Sequence, residues 1–286
     1  MTQRASIHVI TRDRGEALAL LLSSLIQQTT KQFDLVILDN SRGVKVNQSY
    51  ACRALLSRLQ LEGVRINVVE CPDEHRDIGK YRNQCIEQDK FGNKIGIRID
   101  DDSILDPQYV EIVTSGFNSS EEVGIVGGIC PYIFAPRTYI LQPAKFNEVT
   151  PEFDWTDNCI NFVRFINEDG TDKHWSQTFY PSGHIRSNYA YRMDLIKKIK
   201  FPEYSGFSGF SEETYTCILA WFEGYKVMIN PNAVAWHMNY PAGGGRDQIR
   251  SVEQMENIKK LNTARLKEGL DLYRKIKGIE PQSYPS

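Results

Sequence analysis

Cysteine is scarce, with six residues at positions 52, 71, 85, 130, 159 and 217 and no CxxC pair among them. That excludes a disulfide scaffold and a thiolate zinc site, and reads as buried thiols in a reducing compartment. No apolar run approaches the roughly 18 residues of a membrane span. The opening MTQRASIHVITRDR turns polar too soon for a secretory leader, so a cytoplasmic location is the expectation. Neither sign of charge dominates. The 34 Lys+Arg against 36 Asp+Glu argue against a chain built chiefly to neutralise nucleic-acid phosphates, although a local basic groove stays open. Glycine and proline, 20 and 12, are too few for a collagenous or low-complexity chain. GxGxxG and the Walker-type phosphate loop are both missing, so neither dinucleotide nor P-loop binding is supported.

What is present is a regular alternation of strand and helix. Ser6–Thr11, Phe33–Leu38, Val64–Glu70, Lys94–Ile99 and Val123–Gly128 read as strands. Gly15–Gln28, Gln48–Gln60 and Ile78–Gln88 carry helical apolar spacing, and Asp106-Pro107 suits the start of a short helix. This spacing predicts βαβ units and an α/β fold with a mostly parallel central sheet flanked by helices. Residues 131–180 are aromatic-rich and weakly periodic, an insertion within a domain spanning 1–240. Ser211–Phe222 is again helical, Tyr225–Ile229 a strand, and 241–286 a glycine loop with a helical extension.

Ligands of open parallel sheets bind beyond the carboxyl ends of the strands. There the chain places Arg12-Asp13-Arg14, Asp39-Asn40-Ser41, Cys71-Pro72-Asp73 and Asp100-Asp101-Asp102. Three adjacent carboxylates repel one another, so they raise a pKa or recruit a hard cation such as Mg2+ or Mn2+. The triplet alone is equally a solvated turn capping the next helix.

The wider context resembles the family 2 nucleotide-sugar glycosyltransferases of GT-A fold. IHVITRDRGEALALLLSSLIQQ and FDLVILDNS look like their opening units, IGKYRNQCIEQ like their Gly…Arg-Asn helix, and IGIRIDDDSILDP like their aspartate motif. SGHIRSNYAYRMDLIKKIKFPE resembles their acceptor-side segment, and GFSEETYTCILAWFEGYKVMINPNAVAWH their acidic helix and metal histidine. The likeness covers 6–128 and 181–237 in the family's order.

The resemblance implies a metal-dependent inverting transfer of a sugar from a nucleotide-sugar, UDP-sugar favoured, to a hydroxyl acceptor. It assigns Asp102 and His237 to Mn2+ or Mg2+, with Asp100 at the ribose or metal shell and Asp101 among the donor contacts. Asp39 and Asp73 fall at the nucleobase and ribose, Thr11 and Arg14 flank that pocket, and Arg82 sits near the diphosphate. Each also has a plain reading: turn formers, a packed strand-end histidine, or, for Arg82, a surface charge paired with Glu87 or Asp89.

Glu212 and Glu213 match the family's acidic pair, the second being the base, though Glu stands where Asp is usual. Two acids in a first helical turn also simply complement the helix dipole. Gly243-Gly244-Gly245-Arg246 reads as a loop closing Arg246 on the diphosphate, or as a plain linker. Trp155, Trp175, Phe179, Tyr180 and His184 form a candidate acceptor wall, with Tyr189 a further acceptor contact, or else pack a loop-rich subdomain.

Two rival readings are a nucleotidyltransferase and a non-catalytic nucleotide- or sugar-binding module. The first lacks its basic glycine loop, and the intact Asp102, Glu213 and His237 set counts against the second. The C-terminal stretch suits a dimer interface or a peripheral membrane contact as well as simple packing of its apolar face.

Overall fold

The computed structural model describes residues 3–71, 77–133, 179–181, 185, 187–203 and 212–241. The first half is β1 (Ala5–Thr11), α1 (Gly15–Ile26), β2 (Phe33–Asp39), α2 (Tyr50–Leu61), β3 (Ile66–Glu70), α3 (Ile78–Glu87) and β4 (Ile95–Asp100). The second half adds β5 (Ser103–Leu105), α4 (Tyr109–Ser115), β6 (Val123–Ile129), β7 (Tyr180–Pro181), β8 (Tyr189–Arg192), α5 (Met193–Ile199), α6 (Glu212–Phe222) and β9 (Lys226–His237). The sheet order is β3-β2-β1-β4-β8-β6-β9-β5, with β7 also on β9.

The first four strands run parallel, as the βαβ spacing predicts, and β6 pairs β9 in parallel. β8 departs from that pattern, lying antiparallel between β4 and β6. β9 also runs on past the Ile229 end expected for it. The stretch Asn230-Pro231-Asn232 shifts the register against β6 instead of ending the strand. Proline is tolerated at such an irregularity because no ladder hydrogen bond is needed from it. Gly128 lies opposite, where an added Cβ would stand 2.0 Å from Ala233 O, so only glycine lets the two backbones approach.

Alternation along the parallel strands divides the sheet chemically. Ile7, Val9, Leu35, Ile37, Ile97 and Ile99 share one face and bury against leucines of α1 and α2 and valines of α4. The other face carries Val36 and Leu38 against Tyr81 and Cys85 of α3, and Tyr189 and Tyr191 in the cluster with α5 and α6. That second face also holds the polar alternates Asp34, His8, Arg98 and Asp100. Burial pushes the Cys85 thiol up to about 12. Among the described residues, no helix is long and apolar enough to cross a membrane.

Candidate active site

In-register pairing puts Ile10 opposite Asp100 and Thr11 opposite Asp39, so the parallel strands end together on one rim. Beyond β4 the chain turns at Asp101-Asp102 into β5, and β5 pairs with β9 so that Ser103 faces His237. That pairing carries a histidine from the second half of the chain to the aspartate triplet.

The three carboxylates point three ways. Asp100 accepts from Arg82 Nη2 at 3.1 Å, lies 3.4 Å from Arg98 Nη2, and keeps 21% of its side chain exposed. Burial pushes its pKa up, but Arg98 and Arg82 outweigh that and hold it well below the usual carboxylate range. Asp101 turns inward, accepting from Thr11 Oγ1 at 2.8 Å and Arg14 Nη1 at 3.0 Å. Burial, aided by the charge of Asp102, pushes Asp101 up to about 6 against the pull of Arg14. Asp102 faces His237, with Oδ1 3.5 Å from Nε2, while its Oδ2 accepts the Tyr240 N–H at 3.1 Å.

Asp100, Asp102 and His237 thus offer ligand atoms all within 4.8 Å of one another. Two carboxylate oxygens and one imidazole nitrogen suit a divalent ion of Mn2+ type, since oxygen donors favour hard ions and imidazole the borderline ones. The Asn239 N–H donates to His237 Nδ1 at 3.0 Å, which leaves the proton of the neutral ring on Nε2.

Glu212 and Glu213 open α6 and approach the same rim from the other side. Glu213 Oε1 accepts from Arg98 Nη2 at 2.8 Å, and 13% of its side chain is exposed. Burial opposes its ionisation, but Arg98 and Arg82 prevail and lower its pKa. Glu212 is buried with Oε1 3.4 Å from Arg98 and 3.6 Å from Arg82, and its Oε2 finds no partner among the described residues. Burial, then the charge of Glu213, pushes Glu212 up to about 7. The environment therefore drives the two acids apart, one ionised and one about half protonated near neutrality.

Arg82 is no surface charge: it is buried between Asp100 and Glu212, while Asp89 pairs with His8 instead. Thr11 and Arg14 are also buried, and they anchor Asp101 rather than line an open wall. Asp39 is fully buried, with Oδ1 accepting from Ser41 N at 3.0 Å and Oδ2 from Val46 N at 2.7 Å. Its expected nucleobase contact is not presented at the surface. Tyr189, expected as an acceptor contact, has its ring fully buried, with Arg98 Cζ 5.2 Å above the centroid. Asp73, Trp155, Trp175, His184 and Arg246 lie outside the described residues, as do nearly all of 131–180 and 241–286.

No family model matches the sequence, and no curated protein matches it. Solved structures do. GalNAc-T7 with UDP, GalNAc and Mn2+ superposes at a TM-score of 0.58 and 12% identity, over 82% of this chain and 43% of that one. S. aureus TarS 1-349 with UDP-GlcNAc gives 0.54 and 14%, over 86% and 61%. The Pyrobaculum calidifontis mannosyltransferase PcManGT with GDP-Man and Mn2+ gives 0.51 and 13%, over 83% and 57%. This chain has the GT-A glycosyltransferase fold. It spans less than two thirds of each of these GT-A proteins.

Two residues of this GT-A rim escape a sequence reading. Asn188, just before β8, accepts the Asp100 N–H at 2.8 Å and donates to Ser103 Oγ at 3.0 Å, bracing the turn from both sides. Arg98 passes as an ordinary polar alternate of β4. The available signal is its spacing: Arg98 and Asp100 are two apart on one strand, so their side chains share a face.

Proposed function

We propose that this protein is a divalent-cation-dependent glycosyltransferase that moves a sugar from a nucleotide-sugar to a hydroxyl acceptor, with inversion at the anomeric carbon. The observation that carries this reading is the convergence of Asp100, Asp102 and His237 within 4.8 Å on a GT-A rim. One guanidinium, that of Arg98, ties the same rim to Glu213.

Asp100, Asp102 and His237 would hold the cation, Mn2+ being the better match to an imidazole-containing set. Bound there, it supplies Lewis-acid neutralisation of the diphosphate charge. Glu213 accepts the acceptor hydroxyl's proton as that oxygen bonds to the anomeric carbon and the bond to the diphosphate oxygen breaks. Such a hydroxyl has a pKa far above 7, so a positioned base is needed. Glu213 suits this better than Glu212, being ionised and partly exposed. Arg246 is assigned to the diphosphate on its sequence position. Uridine is the base we propose, contacted through Asp39. Uracil N–H reaches that carboxylate only if the segment carrying Ser41 and Val46 moves aside.

The test is a thermal-shift screen of nucleoside diphosphates with and without Mn2+, followed by hydrolysis assays on UDP-sugars and GDP-mannose. UDP with Mn2+ should raise the melting temperature more than either alone, because a ligand favouring the native state stabilises it by mass action. Asp102→Asn should remove that synergy. A protein stabilised by no nucleoside diphosphate in the presence of Mn2+ or Mg2+ overturns the reading.

A further inference from the structure

Arg98 is 1% exposed in the middle of β4, where Ile97 and Ile99 face the leucine-lined side of the sheet. Its backbone is held on both flanks, by His8 of β1 and by Tyr189 of β8. The side chain passes over the Tyr189 ring and ends among three carboxylates. Nη2 donates to Glu213 Oε1 at 2.8 Å and lies 3.4 Å from both Glu212 Oε1 and Asp100 Oδ1. Nε and Nη1 are buried without a hydrogen-bond partner among the described residues.

That arrangement is costly for a purely structural arginine. A buried guanidinium that served only stability would pair in a bidentate fashion and satisfy its remaining N–H groups. Here a single terminal nitrogen is shared by three acids, while two other nitrogens find no hydrogen-bond partner among the described residues. Among the described residues Glu213 has no other cationic partner within ion-pair distance, whereas Asp100 and Glu212 are also held by Arg82.

We propose that Arg98 is a positioning residue that fixes the Glu213 carboxylate relative to Asp100, setting the distance between the base and the donor-side carboxylates. The inference rests on the glycosyltransferase reading above. Arg98 itself neither gives nor takes a proton in the transfer. It acts by holding Glu213 from a strand that neighbours clamp from both sides, and rigid elements are where such constellations keep their geometry. Misplacing a catalytic group by about 1 Å costs on the order of 100-fold in rate.

The experiment compares wild type, Arg98→Met and Arg98→Lys. It measures Mn2+-dependent UDP binding by calorimetry and steady-state hydrolysis of whichever UDP-sugar the wild type cleaves fastest. Arg98→Met should lower kcat about 100-fold while donor KM and the affinity for UDP with Mn2+ stay within about threefold. Arg98→Lys keeps the charge but presents a point cation on a flexible stem. It should recover part of the loss, leaving kcat about tenfold below wild type, and it carries the test if Arg98→Met does not fold. Wild-type kcat in Arg98→Lys, or a loss confined to donor KM, overturns the proposal alone. A wild type that binds no UDP with Mn2+ and cleaves no UDP-sugar overturns the functional reading on its own evidence, and this inference with it.

Discussion

His237 Nε2 lies 3.5 Å from Asp102 Oδ1 because Ser103 and His237 are paired across the β5–β9 ladder. The Asn239 N–H occupies His237 Nδ1, so the neutral ring points its Nε2 proton at Asp102. For His237 to hold a cation through Nε2, the ring proton would have to sit on Nδ1, and the Asn239 contact would then open. Nitrogen-15 NMR of the imidazole should therefore show the Nε2–H tautomer in metal-free protein and the Nδ1–H tautomer once Mg2+ or another diamagnetic ion is added. An Nδ1–H ring before any metal is added contradicts this account. Asp102→Asn should weaken Mn2+ binding tenfold or more, since even residues that only support metal ligands cost 10- to 100-fold.

Glu213→Gln keeps the size of the side chain and removes its basicity. General-base catalysis contributes about 100- to 10,000-fold. Turnover of the UDP-sugar should fall within that range while affinity for UDP with Mn2+ changes less than about threefold. Equal losses in turnover and affinity would instead make Glu213 a binding residue.

The βαβ half of the fold was legible because its two periodicities are local, and those strands and helices lie close to their expected bounds. β8 and the β5–β9 ladder were not, since antiparallel insertion depends on which distant segment supplies the partner. The same divide runs through the site. The Asp100–Asp102 triplet, His237 and Glu213 stand out by residue type and order. The three directions taken by the triplet do not, because a tight turn and two arginines from elsewhere decide them. Arg98 hides for a related reason. An alternating strand reads as half exposed until a helical layer covers its polar face.

Glu212 offers a test of the second face's electrostatics. Its folded pKa is raised from 4.5 to about 7 by burial and by Glu213, so its contribution to stability is full below 4.5 and declines as pH rises to about 7. Glu212→Gln does not titrate. The variant should gain on wild type between pH 4.5 and 7, by on the order of 3 kcal/mol, and hold that gain above pH 7. Melting temperatures of both proteins at pH 4.5, 6 and 7.5 check it. A difference that stays constant across those three values would show that Glu212 titrates normally.

Asp34 lies at the opposite end of β2 from the site and has the reverse sign. Its carboxylate accepts from Arg4 at 2.8 and 2.9 Å, from Arg65 Nε at 2.9 Å and from Asn93 Nδ2 at 2.8 Å. Burial pushes its pKa up, but Arg65, Arg4 and Asn93 more than reverse that and hold it well below the usual 3.8. The stability it contributes is therefore present above about pH 4 and lost as pH falls further. Asp34→Asn should cost about 2–4 kcal/mol at pH 7, below the full figure for a broken buried pair because both arginines are partly exposed. The gap to wild type should narrow steadily from pH 4 to pH 2 in urea titrations. Affinity for UDP with Mn2+ should be untouched, because the cluster lies at the end of β1 and β2 away from the rim. A pH-independent gap would mean that shape, not charge, is what Asp34 supplies where β2 begins.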